Sequence, residues 1–157
     1  MAQETPATLS LKALGVAFER HVYVYDPHAE RAGLQAAEAL AESPERVLKT
    51  LIVKADGKPA CLVLPSDKEA SMKKVAAVFG GKSAAMMPVP DAERLSGYKV
   101  GGVSPFGQKR KLPTVVEIAA TQEAYVYVNG GQRGLQVKLA PADILRATGA
   151  LTASIVA

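Results

Sequence analysis

Eighteen residues, Lys99 to Val116 (KVGGVSPFGQKRKLPTVV), combine three glycines, two prolines and four cationic side chains without one carboxylate. The whole chain has 19 Lys+Arg against 15 Asp+Glu, so outside this window the charges balance and the net charge of +4 resides here. Gly101 and Gly102 allow the backbone to approach a ligand and turn its N–H groups toward an anion, while Pro105 and Pro113 stiffen the ends. Lys109, Arg110 and Lys111 place cations beside them. Such a segment is either a solvated turn with a basic rim or a loop that grips an anionic partner, and the segregation of charge favours the second.

Lys49 is the next residue that resists a purely structural account. In the run Val47 to Val53, strand alternation puts it on the side of Val47, Leu51 and Val53, an apolar side. A lysine there either snorkels to water from the strand's start or aims a cation into a cleft, where it could hold an ester carbonyl or a phosphate. The remaining candidates are weaker. Gly81-Lys82-Ser83 resembles the end of a phosphate-binding loop, but Ala76 stands where that pattern wants glycine, and the segment follows a helix, so it reads as a helix C-cap. Cys61 alternates within a strand as a buried small hydrophobe. His21 and His28 have no Ser or Cys at local spacing, which leaves no recognisable triad; any catalysis would come from backbone donors, a cation and the substrate. Tyr23 and Tyr25 form a hydrogen-bonding or base-stacking wall on the first strand, or half-buried packing.

The elements that must hold these residues follow from the pattern. Thr5-Pro6 caps a short helix that Gly15 stops. Val16 to Tyr25 alternates as a strand, with Val16, Phe18, Val22 and Val24 on one face and Glu19, His21, Tyr23 and Tyr25 on the other. Leu34 to Ala41 is a second helix. Val47–Lys54 and Pro59–Leu64 make a hairpin around Asp56-Gly57, and Ser71 caps a third helix buried through Met72, Val75, Ala76 and Phe79. Met86-Met87 is a short strand and Asp91–Leu95 a helical turn closed by Gly97. Thr114–Ile118 and Ala124–Val128 are strands, Asn129-Gly130 turns the second into Leu135–Leu139, and Pro141–Ala147 is a last helix before an apolar tail. Strands and helices mix without regular alternation. The expectation is one compact α+β domain over residues 1–157, with a mixed, strongly twisted, barrel-like sheet flanked by short helices.

Composition narrows the class. At 157 residues with 48% hydrophobic and 22% charged content the chain can bury a core. One cysteine excludes an internal disulfide, and no C-x-x-C or His-rich tract offers a metal site, so a cytoplasmic setting is the simplest fit. Neither a signal-like start nor a membrane-length apolar run is present.

Read together, several segments resemble the YbaK family, free-standing relatives of the editing domain inserted in bacterial prolyl-tRNA synthetases. They are Lys49-Thr50-Leu51, the loop Gly97 to Arg110, Leu112-Pro113-Thr114, and Tyr127 to Leu135 with its Asn129-Gly130-Gly131-Gln132-Arg133-Gly134 core. The likeness runs in order from about Thr5 to the C-terminal helix. It implies the α+β fold of that editing domain and trans-editing: hydrolysis of the ester of mischarged aminoacyl-tRNA, chiefly Cys-tRNA(Pro), without a cofactor. A second site is needed because a small hydrophobic pocket separates cysteine from proline by only about 1–3 kcal/mol.

By the resemblance, Lys49 and Gly101 are the catalytic positions. Tyr23, Gly102, Val103, Ser104, Pro105, Phe106, Gly107, Gln108, Asn129, Gly130, Gly131, Arg133 and Gly134 contact the 3′ end and the ester, and Lys109, Arg110 and Lys111 contact tRNA phosphates. In family terms the substrate's own thiol attacks its carbonyl, which suits a chain without a triad. Family members often carry Ser where Asn129 stands and Asp where Gln136 stands; Gln136 removes a carboxylate and leaves any general-base role there unsupported. Two alternatives stay open: deacylation of alanyl- or seryl-tRNA with an activated water, and a module that binds tRNA without turnover. Prolyl-tRNA synthetase is a candidate partner for tRNA selection.

Overall fold

The computed structural model describes residues 4–28 and 32–157, so residues 1–3 and 29–31 of the expected 1–157 unit lie outside the described residues. The element order is α1 (Pro6–Ala13), β1 (Glu19–Val22), α2 (Ala32–Ala39), β2 (Leu48–Ala55), β3 (Lys58–Pro65), α3 (Met72–Val78), β4 (Ala84–Met86), α4 (Val89–Ser96), β5 (Thr114–Glu117), a 3₁₀ turn (Ile118–Gln122), β6 (Val126–Asn129), β7 (Leu135–Leu139), α5 (Pro141–Thr148) and β8 (Leu151–Ala153). Helix α1 starts as its sequence requires. The Thr5 hydroxyl accepts from Thr8 N–H at 3.1 Å, and Thr8 Oγ1 accepts from Thr5 N–H at 2.8 Å, a reciprocal cap with Pro6 at the first helical position.

The strands form two sheets. The larger is mixed, in the order β4-β2-β3-β5-β8, and the smaller is antiparallel, in the order β1-β7-β6. They meet at a bridge between Val47 and Tyr127, where Tyr127 N–H donates to the Arg46 carbonyl at 2.7 Å. The expected single sheet is thus divided, and β4 and β8 remain edges instead of closing a barrel. The division follows from pairing over long sequence distances, since β1 zips onto β7 with Glu19 opposite Lys138 and Val22 opposite Leu135. A shared core fills the space between the sheets and helices α1 and α5, with Leu48, Val63 and Val116 from one sheet meeting Val126, Val128 and Val137 from the other.

Several local expectations change. The first strand is only Glu19–Val22, and its aromatic face points inward. Tyr23 is buried against Ala36, Ala37, Val47 and Tyr127, whereas Val22 and Val24 are 67% and 92% exposed. The phenolic rings supply more contact area to α2 than the valines could. Asn129-Gly130 is not a two-residue turn: Asn129 ends β6 and residues 130–134 make a wider connection. The methionine strand ends at Met86, leaving Met87 buried after it.

The apolar tail also contains a strand. β8 pairs parallel with β5, Val115 opposite Leu151, and Ile155 is fully buried. Glu117, 2% exposed, secures that tail: its carboxylate accepts N–H bonds from Ile155 at 2.7 Å and Val156 at 3.2 Å. Lys82 and Ser83, of the segment that fails the phosphate-loop pattern, donate their N–H groups to Asp56 on the β2–β3 turn at 2.9 and 3.0 Å, which lowers the Asp56 carboxyl below its ordinary value. No helix among the described residues is long and apolar enough to cross a membrane.

Candidate active site

A cleft of about 370 Å³ opens across the seam between the two sheets. From the larger sheet come Leu48 to Ile52 and Met86; from the smaller come Asn129 and Gln136, with Tyr23 directly after β1. Met87, Val89, Ala92, Val100, Gly101 and Val103 close one side, while Ser66 and Glu69 come from the segment after β3. The lining is therefore mixed, with aliphatic and thioether groups from β2, β4, α4 and the loop, and polar groups from β2, the smaller sheet and the segment after β3.

Lys49 sits opposite Leu64 in the β2–β3 ladder, half-buried, and lines the cleft. Lys49 shares that lining with Val100, Gly101 and Val103 of the loop. Three buried polar atoms of the lining have no hydrogen-bond partner among the described residues: the Tyr23 hydroxyl, Thr50 Oγ1 and Gln136 Oε1. An unmet buried polar atom costs about 1–3 kcal/mol, so three in one cleft mark it as built for a polar ligand. Burial raises the Tyr23 phenol above its ordinary value and so keeps it a protonated donor at neutral pH; the Gln136 side chain, close by but outside hydrogen-bond geometry, offsets part of that shift.

The glycine loop splits into a half that lines the cleft and a half that turns into the core. Gly101 has φ of +91°, and a methyl group added there would lie 2.5 Å from the Tyr25 hydroxyl, so only glycine lets the loop pass. The N–H groups of Gly101 and Val103 make no hydrogen bond to the described residues, whereas Gly102 N–H is spent on the Lys99 carbonyl at 2.8 Å. Gly102 packs instead on the backbone of Gln132 and Arg133.

Beyond Val103 the loop turns into the core. Ser104 is buried with its Oγ accepting from Phe106 N–H at 3.2 Å, Phe106 is 1% exposed, and the Tyr98 hydroxyl donates to the Phe106 carbonyl at 2.5 Å. Gln108 donates to the Ser104 carbonyl at 3.0 Å and lies 3.7 Å from Cys61 Sγ. Pro105, Gly107 and Gln108 line a second, 210 Å³ cavity together with Lys111. Of the loop residues expected to touch substrate, then, Val103 lines the cleft, while Ser104, Pro105, Phe106, Gly107 and Gln108 support the loop from behind. Phe106, named with this loop through the resemblance, is buried in the core, which residue type alone does not reveal.

The second glycine segment buttresses the first. Gly130 packs on Leu135 and Val137, Gly131 on Tyr98 and Thr5, and Gly134 against the Tyr23 carbonyl, so none of the three lines the cleft. Asn129 does line it, and Arg133 stands just outside, its Nε donating to the Val100 carbonyl at 2.8 Å. Lys109, Arg110 and Lys111 are exposed, with the Lys109 and Arg110 backbones hydrogen-bonded to Ser96 and Leu95 at the end of α4.

No histidine and no cysteine lines the cleft among the described residues. His21 Nε2 lies 3.1 Å from Glu19 Oε1 and edge-on to Tyr127, and the His28 backbone N–H donates to Asp26. Cys61 is buried, and desolvation pushes its thiol up to about 12. Among the described residues no group of three or more His, Cys, Asp or Glu could hold a metal ion. The sequence does not mark Glu69, Thr50 or Ser66 as site residues, because short polar positions flanking a hairpin carry no periodic signal.

This arrangement has counterparts. Residues 27–147 match the family model of the aminoacyl-tRNA editing domain. The chain belongs to that family. It is 37% identical over 113 residues to the Enterococcus faecalis (strain ATCC 700802 / V583) protein named "Putative Cys-tRNA(Pro)/Cys-tRNA(Cys) deacylase EbsC", covering 71% of this chain and 69% of that one. The crystal structure of hypothetical protein APE2540 superposes with a TM-score of 0.84 at 26% identity, covering 98% of this chain and 100% of that one. A structure described as "a putative trans-editing enzyme for prolyl tRNA synthetase" gives 0.83 at 20% identity, covering 99% of each chain, and supports the fold. The editing-domain protein is accordingly an aminoacyl-tRNA deacylase, a hydrolase whose partner is aminoacyl-tRNA.

Proposed function

We propose that this editing domain clears cysteine from mischarged tRNA(Pro), with the cleft across the sheet seam as its active site. The observation that carries the reading is the convergence of Lys49, two free backbone donors at Gly101 and Val103, and three unmet buried polar atoms on one cleft. The name of the Enterococcus relative supports the substrate. Lys49 and the loop N–H groups would hold the ester carbonyl and take up the charge that develops on its oxygen, an effect worth about 2–4 kcal/mol per well-placed donor. Tyr23, Thr50 and Gln136 would meet the ribose hydroxyls and the amino group. The aliphatic side formed by Ile52, Met86 and Met87 suits a small side chain.

The protein supplies no nucleophile in this scheme. The substrate's thiolate attacks its own carbonyl carbon; a C–S bond forms as the ester C–O bond breaks, and the proton lost by the thiol ends on the departing ribose oxygen. The four-membered thiolactone left behind is opened by water. Absence of His and Cys from the described lining agrees with such chemistry, and Gln136 in place of a carboxylate leaves that wall neutral.

Glu69 supports a second reading. Among the described residues it is the carboxylate that lines the cleft, and it could activate water on alanyl- or seryl-tRNA. Measuring deacylation of cysteinyl-, alanyl- and seryl-tRNA side by side decides between them. The proposal expects cysteinyl-tRNA(Pro) to be cleared fastest and Glu69→Gln to retain that activity. Preference for alanyl- or seryl-tRNA, abolished by Glu69→Gln, would replace it with the water mechanism, and binding without turnover of any of the three would refute both.

A further inference from the structure

We propose that Arg133 is the binding site for the phosphodiester that joins the last two nucleotides of the tRNA, an assignment that rests on the cleft holding the terminal aminoacyl ester. Four of the described arginines, Arg20, Arg46, Arg94 and Arg146, lie within 4.0 Å of a carboxylate. Arg133 has no carboxylate partner among the described residues, although it is held in place with unusual care for a surface side chain. Its Nε donates to the Val100 carbonyl at 2.8 Å, and its Cζ lies 5.4 Å from the centroid of the Tyr25 ring. The Tyr25 hydroxyl in turn occupies the space a side chain on Gly101 would need.

The guanidinium is therefore fixed at the lip of the cleft, beside Val100 and Gly101, two of the loop residues that line it. With Nε committed to the backbone, both Nη groups remain as a charged fork. That fork suits a phosphate, which a planar guanidinium can grip through two parallel bonds. An ester carbonyl at Lys49 and Gly101 puts its ribose at the mouth, and the first negative charge beyond that ribose is the phosphodiester on its 5′ side. The Lys109–Lys111 cluster stands elsewhere, against the end of α4 beyond the buried half of the loop.

Binding of two unreactive RNA ends tests this without reference to turnover: adenosine, which has no phosphate, and the dinucleotide cytidylyl-adenosine, which has one. Calorimetric titration should show the dinucleotide bound tenfold to a hundredfold more tightly, a gap that shrinks with salt at a slope of about 0.7 for one contact. Arg133→Gln should erase the gap while leaving adenosine affinity within about twofold, and Arg133→Lys, which keeps the charge but not the fork, should restore part of it. If Arg133→Gln weakened both ligands equally, the residue would be only a brace for the Val100 carbonyl and the proposal would fail. An unchanged gap in a folded Arg133→Gln protein, checked by thermal unfolding, would overturn it as well. Because neither ligand carries an aminoacyl ester, failure of the chemistry proposed for the cleft would show separately, as absent turnover with the binding gap intact.

Discussion

The Asn129 amide donates from Nδ2 to the Gly101 carbonyl at 3.1 Å, while its Oδ1 accepts the Gly131 and Gln132 N–H groups at 2.7 and 3.2 Å. One side chain at the end of β6 thereby ties the glycine loop that lines the cleft to the loop behind it. Replacing it with Ala should leave Gly131 N–H unmet in a partly buried turn and cost about 1–3 kcal/mol of stability. Deacylation should fall about tenfold or more as Gly101 loses its anchor. Asn129→Ser, short enough to bond Gly131 but not to span to Gly101, is expected to recover stability more than rate. Thermal unfolding and single-turnover deacylation on both variants check this; equal recovery of both would show that the Gly101 tie is unimportant.

For Lys49 the expected signature is loss of chemistry with the fold retained. Lys49→Ala should slow deacylation by a factor of about 10² or more, the usual cost of one electrostatic contact to a developing oxyanion. Lys49→Arg should not rescue fully, since a planar guanidinium cannot occupy the place of a compact ammonium. Near-parental turnover in Lys49→Ala would remove the residue from the site.

Cys61 should be silent in catalysis and audible in alkaline stability. Its thiol is pushed up to about 12 in the folded protein, against about 8.5 in an unfolded chain. A raised pKa means that the stabilisation is complete below the unfolded value and is lost as pH climbs toward the folded one. Between about pH 8.5 and 12 the unfolded state releases this proton and the native state does not, at a slope of up to about 1.4 kcal/mol per pH unit. Cys61→Ala should flatten the stability-against-pH curve in that window while keeping turnover within a few-fold. Chemical unfolding at several pH values tests the first point, and a dead but folded Cys61→Ala would overturn the substrate-thiol scheme.

Lys109, Arg110 and Lys111 lie on one exposed run and should act together on affinity, with little effect on the chemical step. A triple Ala variant is expected to weaken tRNA binding and to lower the salt slope by about 0.7 to 0.9 for each phosphate that is no longer neutralised. Filter binding of uncharged tRNA over a salt series measures both. An unaltered slope would reduce the cluster to a solvated rim.

Much of this site is legible in the chain because its residues break local rules. Lys49 interrupts an apolar strand face, and the segregated charge of the glycine loop has no structural need behind it. The family resemblance marks Asn129 and Gly101, but not the hydrogen bond between them, since it joins residues 28 apart in sequence. The apolar side of the cleft is invisible for the opposite reason: Met87 and Ala92 obey the rules for core residues and look no different from Val75 or Leu62. The fold shows the same contrast. Asp56-Gly57 announces the β2–β3 hairpin, whereas β8 is three residues inside an apolar tail and acquires its identity only by pairing with β5.

The two sheets share a core but, among the described residues, join their backbones in a bridge at Val47 against Tyr127, and the cleft lies across that join. A ligand that touches Lys49 on one side and Asn129 on the other is then mortar as well as cargo: part of its binding energy goes into holding two half-structures together. Occupancy and rigidity are one coupled quantity in such a design. Hydrogen exchange at the amides of Tyr127 and its neighbours is expected to slow when the cleft is filled and to quicken when it empties.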